Sequence, residues 1–294
     1  MNIKYYIMKY PMVLKFLLFP YILLASNADW KTTYTPINEK ISNHSIKAKF
    51  KSTGNYSGDC VVLHLENNTN TEQKLLLEAG DKLMCEDEAM QNIFVTQTQY
   101  IVLAPLSKKQ TKVTGFCCSS SKSAPELDIA FRHTRDTVSK ELILAKYLNT
   151  HPQLDLHAVQ HAVWVVCNGA NIDGIYADDM TSVQELKKTV SEITGLPVPW
   201  YTKKYDVDSD GRLQMTTSKL IAIMDFNLTK ETAVTVQICN AHEEILKVPM
   251  QERMLQRGHY DYQFTWETSF LPAGKYLARV YSEGQLIQER EILL

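Results

Sequence analysis

The chain has 294 residues, 45% of them apolar, with 31 Lys plus Arg against 33 Asp plus Glu. The apolar share suits a globular chain with a packed core, and the length suggests two domains. A net charge of −2 supplies none of the basic excess that a nucleic-acid partner requires.

Residues 1–28 have the three parts of a secretory signal. Lys4, Lys9 and Lys15 precede the apolar run Phe16 to Ala25, and Ser26-Asn27-Ala28 puts small residues at the −3 and −1 positions before Asp29, the layout a signal peptidase reads. Lys15 and Pro20 leave the run short of the about 20 apolar residues of a membrane span. A retained anchor is therefore the lesser alternative. Cleavage leaves 28 basic and 33 acidic residues, a net of −5. The expectation is an exported chain, secreted, periplasmic or surface-attached, with no transmembrane span of its own. All six cysteines, Cys60, Cys85, Cys117, Cys118, Cys167 and Cys239, follow the signal. Export permits their oxidation. Six allow fifteen pairings, and free buried thiols are an equal reading. Sequons stand at Asn43, Asn55, Asn67 and Asn227.

Residues 29–135 read as a β-sandwich of the immunoglobulin type. Ile46, Ala48 and Phe50 alternate with polar residues, and Cys60 to Leu65 is a second run, closed by the turn Asn67 to Thr71. Lys74 to Leu77, Ile93 to Thr96, Tyr100 to Leu103 and Thr111 to Cys117 follow at the short spacing of a sandwich. From 136 to 200 the period becomes helical. Val138, Leu142, Ala145 and Leu148 predict one helix. Asp155 caps a second, with Leu156, Val159, Val163 and Val166 as its apolar face and Gly169 beyond its end. Ser182-x-x-Glu185 is a capping box before a third, which Gly195 and Pro197 stop. Pro197-Val198-Pro199 reads as a stiff linker.

Residues 201–294 return to strands: Leu220 to Met224, then alternating Val234, Val236 and Ile238, Ile245 to Val248, Tyr260 to Trp266, Tyr276 to Val280, and a last strand to Leu294. Two runs of this block carry a resemblance. Gly258-x-x-x-Tyr262-x-Phe264-x-Trp266 is followed by Leu271-Pro272-Ala273-Gly274-Lys275-Tyr276. Their order resembles the FlgD-type immunoglobulin-like domain and the C-terminal sorting domains of type IX secretion. The resemblance implies a sandwich and an exported setting, and it raises the alternative that this block is mainly a secretion or attachment signal. The fold class expected is mainly β with a helical insert, two immunoglobulin-like sandwiches joined by a helical segment.

The most chemical-looking motif is Asp206-x-Asp208-x-Asp210-Gly211, which matches the start of a calcium loop. Position twelve, which should be a bidentate Glu, is Thr217. The competing reading is a β-hairpin turned at Asp210-Gly211. His157 and His161 are four apart and share a helix face, a weaker zinc candidate that lacks further ligands. Cys117-Cys118 are expected to point to opposite sides of a strand. The period-2 aromatics Tyr260, Tyr262, Phe264 and Trp266 suit a sandwich core better than a binding face. No nucleophile elbow or phosphate loop is present. The function expected is a non-enzymatic binding or structural protein, without a cofactor unless calcium, that meets a protein or glycan through its sandwich surfaces. The rival is a hydrolase or thiol enzyme built on His157, His161 or Cys167.

Overall fold

The computed structural model describes residues 33–136 and 138–294; the signal expected at 1–28 lies outside the described residues. The protein is mainly β with a helical insert, as its patterning predicts.

The first block contains β1 (Thr35–Pro36), α1 (Ile37–Ser42), β2 (Ile46–Ser52), β3 (Ser57–Asn67), β4 (Gln73–Leu77), β5 (Lys82–Cys85), β6 (Ile93–Val95), β7 (Gln99–Leu103), β8 (Lys108–Cys117) and β9 (Ala130–Thr134). Strands β1, β4 and β7 form one sheet, and β2-β3-β8-β6-β5-β9 close on themselves. Alternation along these strands sends one set of side chains inward. Phe50, Val61, Leu63 and Val113 of the ring meet Leu75, Leu77, Ile101 and Leu103 of the three-stranded sheet in one core. The ring closes through β5 and β9, which are too short and polar to be read from periodicity: Phe131 pairs with Phe50, and His133 with Leu83.

The insert holds α2 (Ser139–Thr150), α3 (Leu156–Asn168), two 3-10 turns (Ile172–Gly174 and Met180–Val183) and α4 (Gln184–Thr194). Asp155 caps α3 as expected, accepting from the backbone N–H groups of His157 and Ala158 at 2.9 and 3.0 Å. Gly169 at φ 74° ends it, since the left-handed region suits a residue without Cβ. Three details differ from the sequence reading. Ser182 does not cap α4: its hydroxyl donates to the Asp179 carbonyl while Asp179 accepts from Thr181, so a 3-10 turn leads into a helix that begins at Gln184. In α2, Val138 and Leu142 are exposed, and Glu141, Leu144, Ala145 and Leu148 are buried. The helix is turned so that Glu141 meets Lys82 of β5 at 2.7 Å. In α3 every residue from 158 to 165 is buried, whereas Leu156 is exposed. A helix buried all round packs against neighbours on every side; here one side rests on Phe94 and Phe116 from the outside of the ring.

The last block comprises β10 (Tyr201–Val207), β11 (Leu213–Leu228), β12 (Thr232–Asn240), β13 (Ile245–Leu255), β14 (Gly258–Glu267), β15 (Lys275–Ser282) and β16 (Gln285–Leu293). Sheets β10-β11-β14 and β13-β12-β15-β16 enclose a core that includes Met224, Phe226, Val236, Phe264, Trp266 and Val280. β11 runs through Thr217 beyond the expected strand Leu220 to Met224; the Thr217 hydroxyl lies 3.1 Å from that of Thr268, which donates to the Thr217 carbonyl at 2.9 Å. Tyr276, the last residue of the Leu271-to-Tyr276 run, enters the core. Its hydroxyl donates to the Pro272 carbonyl at 2.7 Å, and its ring lies edge-on to Trp266 with centroids 5.3 Å apart.

Gly115 of β8 sits where a Cβ would lie 2.5 Å from Ile93 Cγ2 and 3.0 Å from the Phe94 carbonyl oxygen. Overpacking of this kind costs about 1–3 kcal/mol. Gly115→Ala is therefore expected to lower the urea midpoint by a corresponding amount with an unchanged m-value; an unaltered midpoint would mean that β6 and β8 are not held this closely.

Candidate functional site

Helix α3, the 3-10 turn after it and strand β10 meet in a buried polar seam. His161, fully buried on α3, has Nε2 2.8 Å from the Asn171 carbonyl oxygen and stacks on Tyr205 of β10 with centroids 5.5 Å apart. Burial drives its pKa down to about 4, so it is a neutral imidazole at neutral pH and donates through Nε2. Gly174 makes room for it: a Cβ there would lie 2.1 Å from the ring. Asp173 accepts from the Tyr205 hydroxyl at 2.9 Å and pairs with Lys203 at 3.0 Å. The Lys203 ammonium also donates to the Leu293 carbonyl and sits 5.1 Å from the Tyr205 ring centroid. Lys187 of α4 enters the same seam and donates to the Thr202 hydroxyl. Burial lowers its pKa to about 8, with Asp173 opposing the drop. One carboxylate thus faces two buried ammonium groups.

Lys187 and Thr202 also form the inner wall of a groove of about 640 Å³. Even-numbered residues of β11 (Ala222, Met224, Phe226) face the sandwich core, so the odd-numbered ones face outward by strand alternation. Ile221, Ile223 and Asp225 form the floor, together with His259 and Asp261 of the neighbouring β14, and α4 stands over it through Gln184 and Lys188. Trp200 fills the end of the groove. Its indole N–H donates to the Glu291 carbonyl at 2.9 Å, and Arg290 lies over its ring at 5.6 Å. Arg290 is paired with Asp225, and His259 Nε2 lies 3.2 Å from Asp261.

The sequence-derived candidates lie elsewhere or do other work. Asp206, Asp208 and Asp210 are on the β10–β11 hairpin, as the hairpin reading expects. Asp208 closes the turn: it accepts from the backbone N–H groups of Asp210 and Arg212 and from the Gln214 side chain at 2.8–3.0 Å. Asp210 lies 3.4 Å from Arg212. The hairpin tip is docked on the first block, with Ala124 N–H donating to the Asp210 carbonyl at 2.7 Å and Gln91 to that of Gly211. His157 does not join His161 on a common ligand. It turns edge-on to Tyr176, and its pKa is lowered by burial. Among the described residues no three His, Cys, Asp or Glu side chains converge as a metal-ligand set. Cys117 and Cys118 take opposite sides, as expected, Cys117 in the barrel core and Cys118 against the helices. All six cysteines are free thiols. Phe264 and Trp266 are core, with Tyr260 and Tyr262 packed against it. The Asn67 side-chain amide is buried, donating to the carbonyls of Thr71 and Ala104, whereas Asn43, Asn55 and Asn227 are exposed. Sequence reasoning missed Trp200, Asp225, Asp261 and Arg290, which are far apart in the chain; the only local signal was an aromatic directly after the Pro-Val-Pro segment.

No protein-family model matches the chain, and no curated protein matches it significantly. Among solved structures, it aligns with CBM51-2 in complex with GlcNAc and INT domains from Clostridium perfringens ZmpB, at 11% identity over 85% of this chain and 79% of that one, TM-score 0.18. It also aligns with CBM51-2 and INT domains of the same protein, at 9% identity over 83% and 91%, TM-score 0.16. A likeness at such scores assigns neither fold nor function to this chain.

Two outcomes test the seam. Asp173→Asn leaves Lys203 buried without its counter-charge and is expected to destabilise by about 3–5 kcal/mol; the double variant Asp173→Asn/Lys203→Met should recover much of that in the same denaturation series. For His161 the folded pKa lies below the unfolded value near 6.5, so the unfolded state binds the proton first. Stability is then complete above about pH 6.5 and falls as the pH drops toward 4, by roughly 2–3 kcal/mol at pH 4.5. His161→Gln should flatten that part of the pH–stability curve, and an identical curve for wild type and variant would refute the assignment.

Proposed function

We propose that this is an exported, non-enzymatic binding protein that seats an uncharged saccharide in the groove between α4 and the outer face of β11 and β14. The observation that carries the reading is the make-up of that groove, an indole beside fixed carboxylate, guanidinium and imidazole groups over an aliphatic floor. Sugar rings present C–H faces that pack on aromatic and aliphatic surfaces, and hydroxyls that bond to such polar groups. Among the lining residues the carboxylates of Glu185, Asp225 and Asp261 are matched by the cations of Lys187, Lys188 and Arg290, and the balance leaves directional donors and acceptors with little excess charge, which favours a neutral polyhydroxy ligand over an ion. The volume is within the about 300–1,000 Å³ of small-ligand sites.

The separation of His157, His161 and Cys167, which face three different sets of partners, supports a binding role over hydrolysis or thiol chemistry. Export is supported by the pattern of residues 1–28 and by the resemblance of the last block to FlgD-type and sorting domains. That block supplies much of the groove, so the reading requires it to be retained. The intact mass of exported material should include residues up to 294; a mass ending near residue 217 would favour a sorting role instead.

The binding test applies the purified chain to an array of immobilised oligosaccharides, followed by calorimetric titration of those retained. Trp200→Ala and Asp261→Asn are expected to weaken binding at least about tenfold, or ~1.4 kcal/mol. The Asp261 side chain is 64% exposed, so its replacement does not threaten the fold. Lys47→Ala, on the barrel, should bind as wild type. Retention of no saccharide, or binding indifferent to both groove substitutions, overturns the proposal.

A further inference from the structure

Lys187 reaches the groove wall from α4 and is only 5% exposed. An ammonium carries three N–H donors. Among the described residues its hydrogen bond goes to the Thr202 hydroxyl, and Thr202 lines the same wall. Asp173 does not neutralise it in contact: that carboxylate pairs with Lys203 at 3.0 Å and accepts from the Tyr205 hydroxyl at 2.9 Å. The other titratable groups around it are Lys203 and His161 in the seam, and Glu185 and Lys188 on its own helix. A desolvated amine short of acceptors and of a contacting counter-charge favours its neutral form, whose nitrogen has a free electron pair. Its pKa of about 8 agrees with that geometry. Lys188, one residue on, lines the same groove but is exposed, so the two amines differ in burial and share the ligand space.

We propose that Lys187 is a carbonyl-binding amine that holds the open-chain aldehyde of a reducing sugar in the groove as a reversible imine. The anchor takes the groove as the ligand site, as proposed above, and requires of the ligand only an aldehyde. The Lys187 ammonium first gives one proton to solvent. Its nitrogen lone pair adds to the aldehyde carbon, the carbonyl π pair moves to oxygen, and a proton passes from nitrogen to that oxygen to give a carbinolamine. The nitrogen lone pair then expels the hydroxyl group, which leaves as water with the remaining N–H proton. One amine and one aldehyde become one imine and one water, with no change of oxidation state, and hydrolysis reverses the step.

The test incubates the full chain with glyceraldehyde, the smallest aldose, and sodium cyanoborohydride, which traps an imine as a secondary amine, and follows each lysine by peptide mapping over time. At about pH 7 Lys187 is expected to label at least about tenfold faster than Lys188, since a pKa of about 8 leaves ~10% neutral amine against well under ~0.1% for an exposed lysine near 10.4. Its labelling rate should level off above about pH 8, whereas that of exposed lysines keeps rising to about pH 10. Lys187→Met should remove that label and leave the rest of the map unchanged; the wild-type time course decides the matter even if this variant does not fold. Labelling of Lys187 no faster than that of Lys188 overturns the proposal. Fast labelling together with no saccharide retained on the array upholds the amine and removes the affinity for intact saccharides; retention with slow labelling does the reverse.

Discussion

Helix α3 has no solvent face along the two turns from 158 to 165, and that constraint organises the molecule around it. Unpaired polar groups are costly when buried, so each polar side chain in this stretch must find its partner on a different neighbour. Gln160 takes both backbone groups of Cys117 on the barrel. His161 takes the Asn171 carbonyl on the following turn. The Trp164 indole N–H donates to Gln91 from the first block at 3.3 Å. Three directions of approach are thereby set by three side chains within little more than one helical turn, and the apolar residues between them fill the gaps.

The second β block is held to this centre by charge as well as packing. Asp173 connects α3's trailing turn to β10 through Tyr205 and Lys203. Lys187 ties α4 to Thr202 on the same strand. A buried pair of this kind adds little net stability, but it penalises other arrangements in which either charge is left alone. Its effect is therefore on position: α4 stands over the outer face of β11 and β14 at a fixed height, and the groove is the space left between them. The hairpin tip at Asp208 to Arg212, docked on the segment 120–124 of the first block, fixes the other end of β10 and β11.

Much of this was legible in the chain. Period-2 alternation marked β2, β12 and β14, and a mostly apolar run marked β3. Asp155 and Gly169 marked both ends of α3. The failures have specific causes. β5 and β9 carry Lys82 and Arg132 where a core strand would be apolar, so their role in closing the ring depends on partners distant in sequence. The α2 stripe was read from apolar residues alone, whereas Glu141 is buried because Lys82 meets it. Asp206 to Gly211 satisfies both a calcium-loop spacing and a hairpin, and the choice rests on where the carboxylate of Asp208 finds its donors.

By itself the sequence determined the fold class, the order of blocks, most strand positions and the helix ends, because alternation, capping and turn chemistry act over a few residues. Tertiary structure alone decided the ring closure, the partners of the buried charges and the groove, because Trp200, Asp225, Asp261 and Arg290 come from four separate strands or their ends and become neighbours only when the sheets pair in register.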